Sequence, residues 1–176
     1  MVETAKYDVV REDGEFEIRR YHKMIVATVD NMGGSGFNRL FRYITGSNKS
    51  KSKIDMTSPV ITSEKIAMTS PVISSSDTMS FVAPVEYTME TMPEPTDSNV
   101  KISEIPEKYM ATIRFRGFAW RDSVKKQTTK LYEWLNENKI IAKSPPMLMQ
   151  YNPPFVPGFL RRNEIGIEIE YSPMSR

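Results

Sequence analysis

His22 is the single histidine in the chain, and cysteine is absent. These two facts remove disulfides, thiolate metal sites, Fe–S clusters, cysteine nucleophiles and multi-histidine metal sites together. A Ser-His-Asp triad could run only through His22, and no Gly-x-Ser-x-Gly elbow accompanies it. Gly33-Gly34-Ser35-Gly36 lacks the Lys and Ser/Thr that complete a phosphate-binding loop, so it reads as a turn into a helix. The pairs Glu15/Glu17 and Glu168/Glu170 have the spacing of acid–base carboxylates on one strand face, but a solvated face accounts for them more simply. The 12 methionines offer Met56 and Met68 as thioether ligands, against the ordinary use of Met to fill a curved core. His22 itself reads as an exposed turn residue. The chain is therefore expected to bind rather than catalyse, with an enzyme such as a hydrolase ranked third.

Charge bounds the partners. Lys49, Lys51 and Lys53, with Arg39 and Arg42, make a basic patch, and Phe115, Phe118 and Trp120 could serve as base-stacking platforms. Yet 24 Lys and Arg against 22 Asp and Glu leave a net charge of only +2, too little to imply a polyanion. No nucleic-acid partner is expected. Arg161-Arg162-Asn163-Glu164 has two readings: a guanidinium grip on ligand carboxylates, or an ion-pair cluster that locks the last strand. Charges run through Met1 to Glu15 and no apolar stretch approaches about 18 residues, so neither a secretory signal nor a span is read. A cytoplasmic protein without a membrane partner is the expectation.

These side chains must be positioned by elements that the pattern reveals. With 39% hydrophobic and 26% charged residues over 176 positions, the composition is globular and large enough for a sizeable core. Phe16, Ile18, Met24, Val26 and Thr28 alternate with polar neighbours, giving strands with a turn near Tyr21-His22-Lys23. Phe37, Leu40, Phe41 and Ile44 fall at helical spacing from Gly36, with Gly46 as the stop. Lys53 to Ile61 and Lys65 to Ile73 form a near-tandem repeat of edge strands, each carrying a proline. A strand over Met79 to Val85 leads to a connector at Pro93-Glu94-Pro95.

The plan then recurs. Val100, Ile102 and Ile105, then Tyr109, Ala111 and Ile113, repeat the first strand pair at a shift of about 84 residues. Arg121 to Asn138 is the longer amphipathic helix, with Val124, Thr128, Leu131 and Leu135 inward. Leu148 to Tyr151 and Glu164 to Tyr171 are strands, the latter with Ile165, Ile167 and Ile169 opposite Glu164, Glu168 and Glu170. Between them lies a proline-stiffened loop bearing Phe155, Phe159 and Leu160. The fold expected is α+β: a distorted antiparallel β-barrel from two strand-helix-strand halves, about 7–92 and 99–171 of one domain over 1–176, with flanking helices.

Glu17-Ile18-Arg19-Arg20-Tyr21, Gly36-Phe37-Asn38-Arg39-Leu40-Phe41-Arg42-Tyr43-Ile44, the paired Lys-Ile-x-Met-Thr-Ser-Pro-Val segments, Tyr151-Asn152-Pro153-Pro154 and Arg161-Arg162-Asn163-Glu164 stand in an order that resembles the SOUL family of heme-binding proteins. The resemblance runs from about Tyr7 to Ile169. It implies a barrel like the effector-binding domains of bacterial multidrug-responsive regulators, and a heme or other tetrapyrrole held noncovalently beside the first helix and the late loop. Carried onto this chain, the contacts are Phe37, Leu40, Phe41, Arg42 and Ile44, with Phe155, Phe159 and Arg161. Some members ligate iron through a histidine just before the tyrosine of the first strand. Here that position is Arg20, and the role is not transferred to His22. The regulator likeness also admits a sensor of other planar or cationic apolar compounds.

Overall fold

The computed structural model describes residues 4–30, 34–50, 65–66, 70–75, 77–152 and 155–172. Its strands are β1 (Tyr7–Asp13), β2 (Phe16–Tyr21), β3 (Met24–Asp30), β4 (Asn48–Lys49), β5 (Val72–Ser74), β6 (Thr78–Val82), β7 (Glu94–Pro95), β8 (Lys101–Ile105), β9 (Lys108–Arg116), β10 (Ile141–Ala142), β11 (Met147–Gln150) and β12 (Arg162–Glu170). The described residues also form two α-helices, α1 (Gly36–Thr45) and α2 (Arg121–Glu137). The fold is α+β with antiparallel strand pairing throughout the registers given below, as the sequence pattern implies. The first copy of the near-tandem repeat and Met68 of the second lie outside the described residues.

Two units divide the chain. The first comprises Met1–Ala5, Lys23–Val72 and Ser76–Pro106, the second Lys6–His22, Ile73–Ser75 and Glu107–Arg176. In the first, β3 is flanked by β6 and β8, both antiparallel. Its inward residues Ile25, Ala27 and Val29 meet Leu40, Tyr43 and Ile44 of α1, with Ile66, Phe81, Met92 and Val100 completing the core. Glu94-Pro95, expected as a bare connector, instead forms β7 and pairs with β4. Two residues per strand are too few for an alternation pattern to register.

In the second unit the strand order is β1-β2-β9-β12-β11, with β10 also on β12. Ile18, Ala111, Ile113, Ile165, Ile167 and Ile169 occupy one sheet face and pack on Leu131, Trp134 and Leu135 of α2. Trp134, absent from the predicted helix face, stacks on Phe16 at 5.0 Å between ring centroids and donates Nε1–H to Asp13 at 2.9 Å. β1 escaped the sequence pattern because it carries a bulge between Val9 and Arg11, where the pairing with β2 slips and alternation breaks.

Register makes the internal repeat physical. Met24 pairs with Ile105 and Thr28 with Lys101 in the first unit. The equivalents in the second are Lys108 with Tyr21 and Thr112 with Glu17, each reached by one constant shift along the chain. Each sequence half thus sends one strand of its leading pair to each unit: β2 joins β9, and β3 joins β8.

Helix α1 ends where Gly46 takes φ 131°, its N–H closing onto the carbonyls of Arg42 and Tyr43. Only glycine adopts that geometry without strain. Gly46→Ala is expected to lower unfolding free energy by about 1 kcal/mol, read from urea denaturation at constant m-value.

Candidate ligand-binding site

Helix α1 offers an inner and an outer apolar surface. Leu40, Tyr43 and Ile44 are buried in the first unit's core, and the Tyr43 hydroxyl donates to the Pro93 carbonyl at 2.6 Å. Phe37 is half-buried, meeting Phe81 edge-on at 5.7 Å and stacking on Phe41 at 6.0 Å with 14° between planes. Phe41 is the outer ring, 45% exposed. Exposed Arg42 follows it. Of the five α1 residues assigned to a ligand, then, Phe41 and Arg42 reach solvent, Phe37 supports Phe41 from beneath, and Leu40 and Ile44 anchor the helix.

Beside them, Arg39, Arg42, Tyr43, Ser47, Thr96 and Asp97 line a hollow of about 130 Å³. Arg39 Nη1 lies 3.4 Å from Asp97. Asp97 is held below the usual carboxylate range, first by the backbone N–H and then by the side-chain amide of Asn99. The hollow thus has a cationic wall and one fixed negative charge.

Arg20 and His22 are both turned to Asp8, at 2.7 and 2.9 Å, on the exposed side of the β1–β2 pair. Hydrogen bonds from Arg20 and then His22 hold the Asp8 carboxyl below its ordinary value. The late loop closes on itself: Arg161 Nε donates to the Val156 carbonyl at 2.8 Å, and its guanidinium lies over the Phe118 ring at 5.6 Å. Phe155 and Phe159 point outward, largely exposed.

The densest polar feature lies elsewhere in the second unit, on the sheet face opposite α2. Arg19 is 1% and Glu164 0% exposed. The two form a bidentate pair, Nη1 to Oε2 at 2.5 Å and Nη2 to Oε1 at 3.0 Å. Arg19 Nε adds Glu17 at 2.6 Å and Nη1 adds the Tyr21 hydroxyl at 3.1 Å. Glu164 also accepts from Tyr151 at 2.8 Å, from Arg162 at 2.6 Å and from Arg114 at 3.4 Å. The rings of Tyr7 and Tyr151 cover the guanidinium groups of Arg19 and Arg162 at 4.3 and 4.2 Å.

Burial alone would raise the Glu164 carboxyl, but the hydrogen bond and charge of Arg19, then those of Arg162, overcome it and hold it at about 2. Arg19 is opposed by burial in the same way and is raised by its bond to Glu164. Burial pushes the hydroxyls of Tyr21 and Tyr151 up, so both stay protonated.

Residues 2–168 match the sequence model of the family described as "SOUL heme-binding protein". The chain belongs to the SOUL heme-binding protein family. It is 31% identical over 171 residues to heme-binding protein 2 of Homo sapiens, spanning 93% of this chain and 82% of that one. Heme-binding protein 1 of Xenopus laevis is 26% identical, over 91% and 84% of the two chains. Among solved structures, the EcmrR C-terminal domain aligns with a TM-score of 0.59 at 12% identity, covering 94% of this chain and 99% of that chain. A structure described as a hydrolase from Listeria innocua aligns at 0.58 and 12%, covering 92% and 94%. At such identities the likeness concerns the fold, which is the regulator-type fold the resemblance implied.

Within this SOUL chain the buried cluster gathers three of the sequence motifs: Glu17, Arg19 and Tyr21 from the first, Tyr151 from another, Arg162 and Glu164 from the last. Strand alternation assigns Arg19 and Glu164 to polar faces and Glu17 to a solvated one, and the ion-pair cluster is one of the two readings of Arg161-Arg162-Asn163-Glu164. The assignment to the face opposite the isoleucines is right, but that face is covered in its own right: Met110 and Met149 lie so close over Gly166 that a Cβ there would sit 2.6 and 2.7 Å from their methyl carbons. The signal that could have revealed it was a pair of motifs, one toward each end of the second unit's sequence, each carrying both an acid and arginines able to pair with the other. Arg161-Arg162-Asn163-Glu164 divides, with Arg162 and Glu164 in the cluster and Arg161 on the loop.

Glu164 lies at about 2 in the folded protein against an ordinary 4.5. The stability it contributes is therefore complete above pH 4.5 and is lost as pH falls through about 2. Glu164→Gln should cost about 3–5 kcal/mol at neutral pH, because it strands a buried guanidinium. Urea unfolding followed between neutral and acid pH should show a flatter dependence in the variant than in the wild type below pH 4.5.

Proposed function

We propose that this SOUL-family protein binds a tetrapyrrole such as heme noncovalently on α1, as a carrier, buffer or sensor and without catalysing its conversion. The observation that carries the reading is the exposed Phe41 ring, backed by Phe37 at 6.0 Å and followed by Arg42. The relatives named as heme-binding proteins support it. A tetrapyrrole supplies a broad apolar plane and peripheral carboxylates. An outward phenyl ring can take the plane by dispersion and stacking, and a guanidinium can pair with a carboxylate.

The residues present fit a ligand held by its face and its carboxylates. The exposed side chains of α1 include no imidazole or thioether, and Arg20 and His22 are engaged by Asp8. Burying roughly 400 Å² of apolar tetrapyrrole at about 25 cal/mol per Å² gives about 10 kcal/mol. Association costs about 4–15 kcal/mol. Arg42 must therefore add to the contact, affinity is modest, and metal-free porphyrins bind comparably to heme. Phe155, Phe159 and Arg161 enter this reading through the family resemblance, and Phe159→Ser measures their share.

Titrating the protein with hemin and with protoporphyrin, followed by porphyrin absorbance, is expected to give saturable binding of both. Because Phe41 is partly exposed, Phe41→Asp should leave the fold intact and weaken both ligands by about tenfold or more. Leu40→Asp, at a buried position, should unfold the first unit instead. His22→Ala should leave the hemin spectrum unchanged. Absence of saturable binding to either porphyrin would overturn the reading, and a hemin spectrum changed by His22→Ala would overturn binding without an axial ligand.

A further inference from the structure

The second unit carries an exposed aromatic edge that neither the core nor the buried cluster uses. It joins two loops. The β9–α2 loop presents Phe118 and Trp120, 5.3 Å apart between ring centroids. The turn at Gly158–Leu160 presents Phe159 and Leu160. Trp120 is 66% and Leu160 55% exposed.

The two loops are fastened rather than merely adjacent. Gly158 lies against the Phe118 ring so closely that a Cβ would fall 2.0 Å from it. Gly117 N–H donates to the Arg161 carbonyl at 3.1 Å, and Asn163 Nδ2 to the Gly117 carbonyl at 2.8 Å. The apolar tips are thus held outward by a fixed base. Large apolar groups gathered in this way mark an interaction surface, whereas single exposed ones do not.

The flanking charge selects the occupant. Exposed Arg116, Arg121, Lys125 and Lys126 stand against one acid of the same stretch, Asp122, and Arg161 adds a further cation. Projecting Trp, Phe and Leu side chains inside a basic rim complement the interface of an anionic bilayer, where rings and aliphatic tips enter the acyl boundary and cations stay among the headgroups. Nucleic acid would use the rings but has no use for a projecting leucine. Overall composition argued against a membrane partner because a span is lacking, but a surface contact requires none. We infer that this edge docks the protein on anionic lipid surfaces; it shares Phe159 and Arg161 with the tetrapyrrole reading, whereas Phe118, Trp120, Leu160 and Arg121 belong to the edge alone.

The tryptophans supply a built-in probe, since Trp120 is exposed while Trp134 is buried and hydrogen-bonded to Asp13. The full chain is titrated with vesicles of phosphatidylcholine alone and with phosphatidylserine added, reading tryptophan emission and co-sedimentation. A blue shift and co-sedimentation specific to the serine-containing vesicles, weakened by salt, are expected. Leu160→Asp, which keeps the Trp120 probe, should reduce partitioning by about tenfold, and Arg121→Glu should also reduce it, while both variants titrate with hemin as the wild type does. Failure to bind anionic vesicles, or wild-type partitioning by both variants, would overturn the inference. Binding of a single-stranded oligonucleotide through the same residues, with vesicles left unbound, would overturn it in favour of nucleic acid.

Discussion

The bidentate pair between Arg19 and Glu164 is the constraint on which the second unit depends. Both side chains are withdrawn from water, so either one alone would be a buried uncompensated charge, and a pair of this kind is far more costly to break than to replace by apolar groups. Its partners supply what burial removes. Glu17 takes the Arg19 Nε–H and the Tyr21 hydroxyl a second Nη1–H, Tyr151 and Arg162 donate to Glu164, and two tyrosine rings cover the cations. Such a network tolerates little displacement of β2 against β12, because each member satisfies another. It acts more as a specification of register than as a store of stability.

That specification bears on the chain's connectivity. Arg19 and Glu164 are separated by 145 positions, and β2 is followed at once by β3, which belongs to the other unit. The constant shift relating β3–β8 to β9–β2 means that the same exchange occurs twice, at His22/Lys23 and at Pro106/Glu107. Neither sequence half holds a complete sheet. Folding must therefore close long loops before either unit has its central pairs, which places the protein among the slower, high-contact-order topologies.

The parts of this arrangement that were legible in the sequence are those with one clean periodicity. Gly36 and Gly46 bracket α1 because the apolar spacing and the C-terminal glycine agree. The repeat shift was visible in Ala27-Thr28 against Ala111-Thr112, which proved to be equivalent positions in the sheet registers. The fold class followed. Where two signals conflicted, pattern reading failed: the bulge in β1 broke alternation, Glu94-Pro95 was too short to alternate, and Arg19 looked solvent-facing because the pattern distinguishes charged from apolar, not paired from unpaired, while for Glu164 an ion-pair cluster was one of two readings left open. The candidate site was half legible for a related reason. Helical spacing put Phe37, Leu40, Phe41 and Ile44 on one stripe, but a stripe that wide has a centre, Leu40 and Ile44, committed to the core, and only its margin at Phe41 remains for a ligand.

This division separates the two kinds of arginine in the protein. Arg19 is buried against Glu164 and Glu17, and Arg162 pairs with the same Glu164, each under a tyrosine ring, so both are already committed to protein carboxylates. Arg42 is exposed, with no acidic residue in its own helix, and carries the charge that an anionic ligand would meet. If a tetrapyrrole is bound without an axial ligand, as proposed, such charges become decisive, since planar apolar contact alone roughly balances the cost of association. Selectivity would then arise from where a ligand carries its carboxylates relative to its apolar plane. On the proposed reading such a site would discriminate by shape and peripheral charge, and would be nearly indifferent to the metal at the centre.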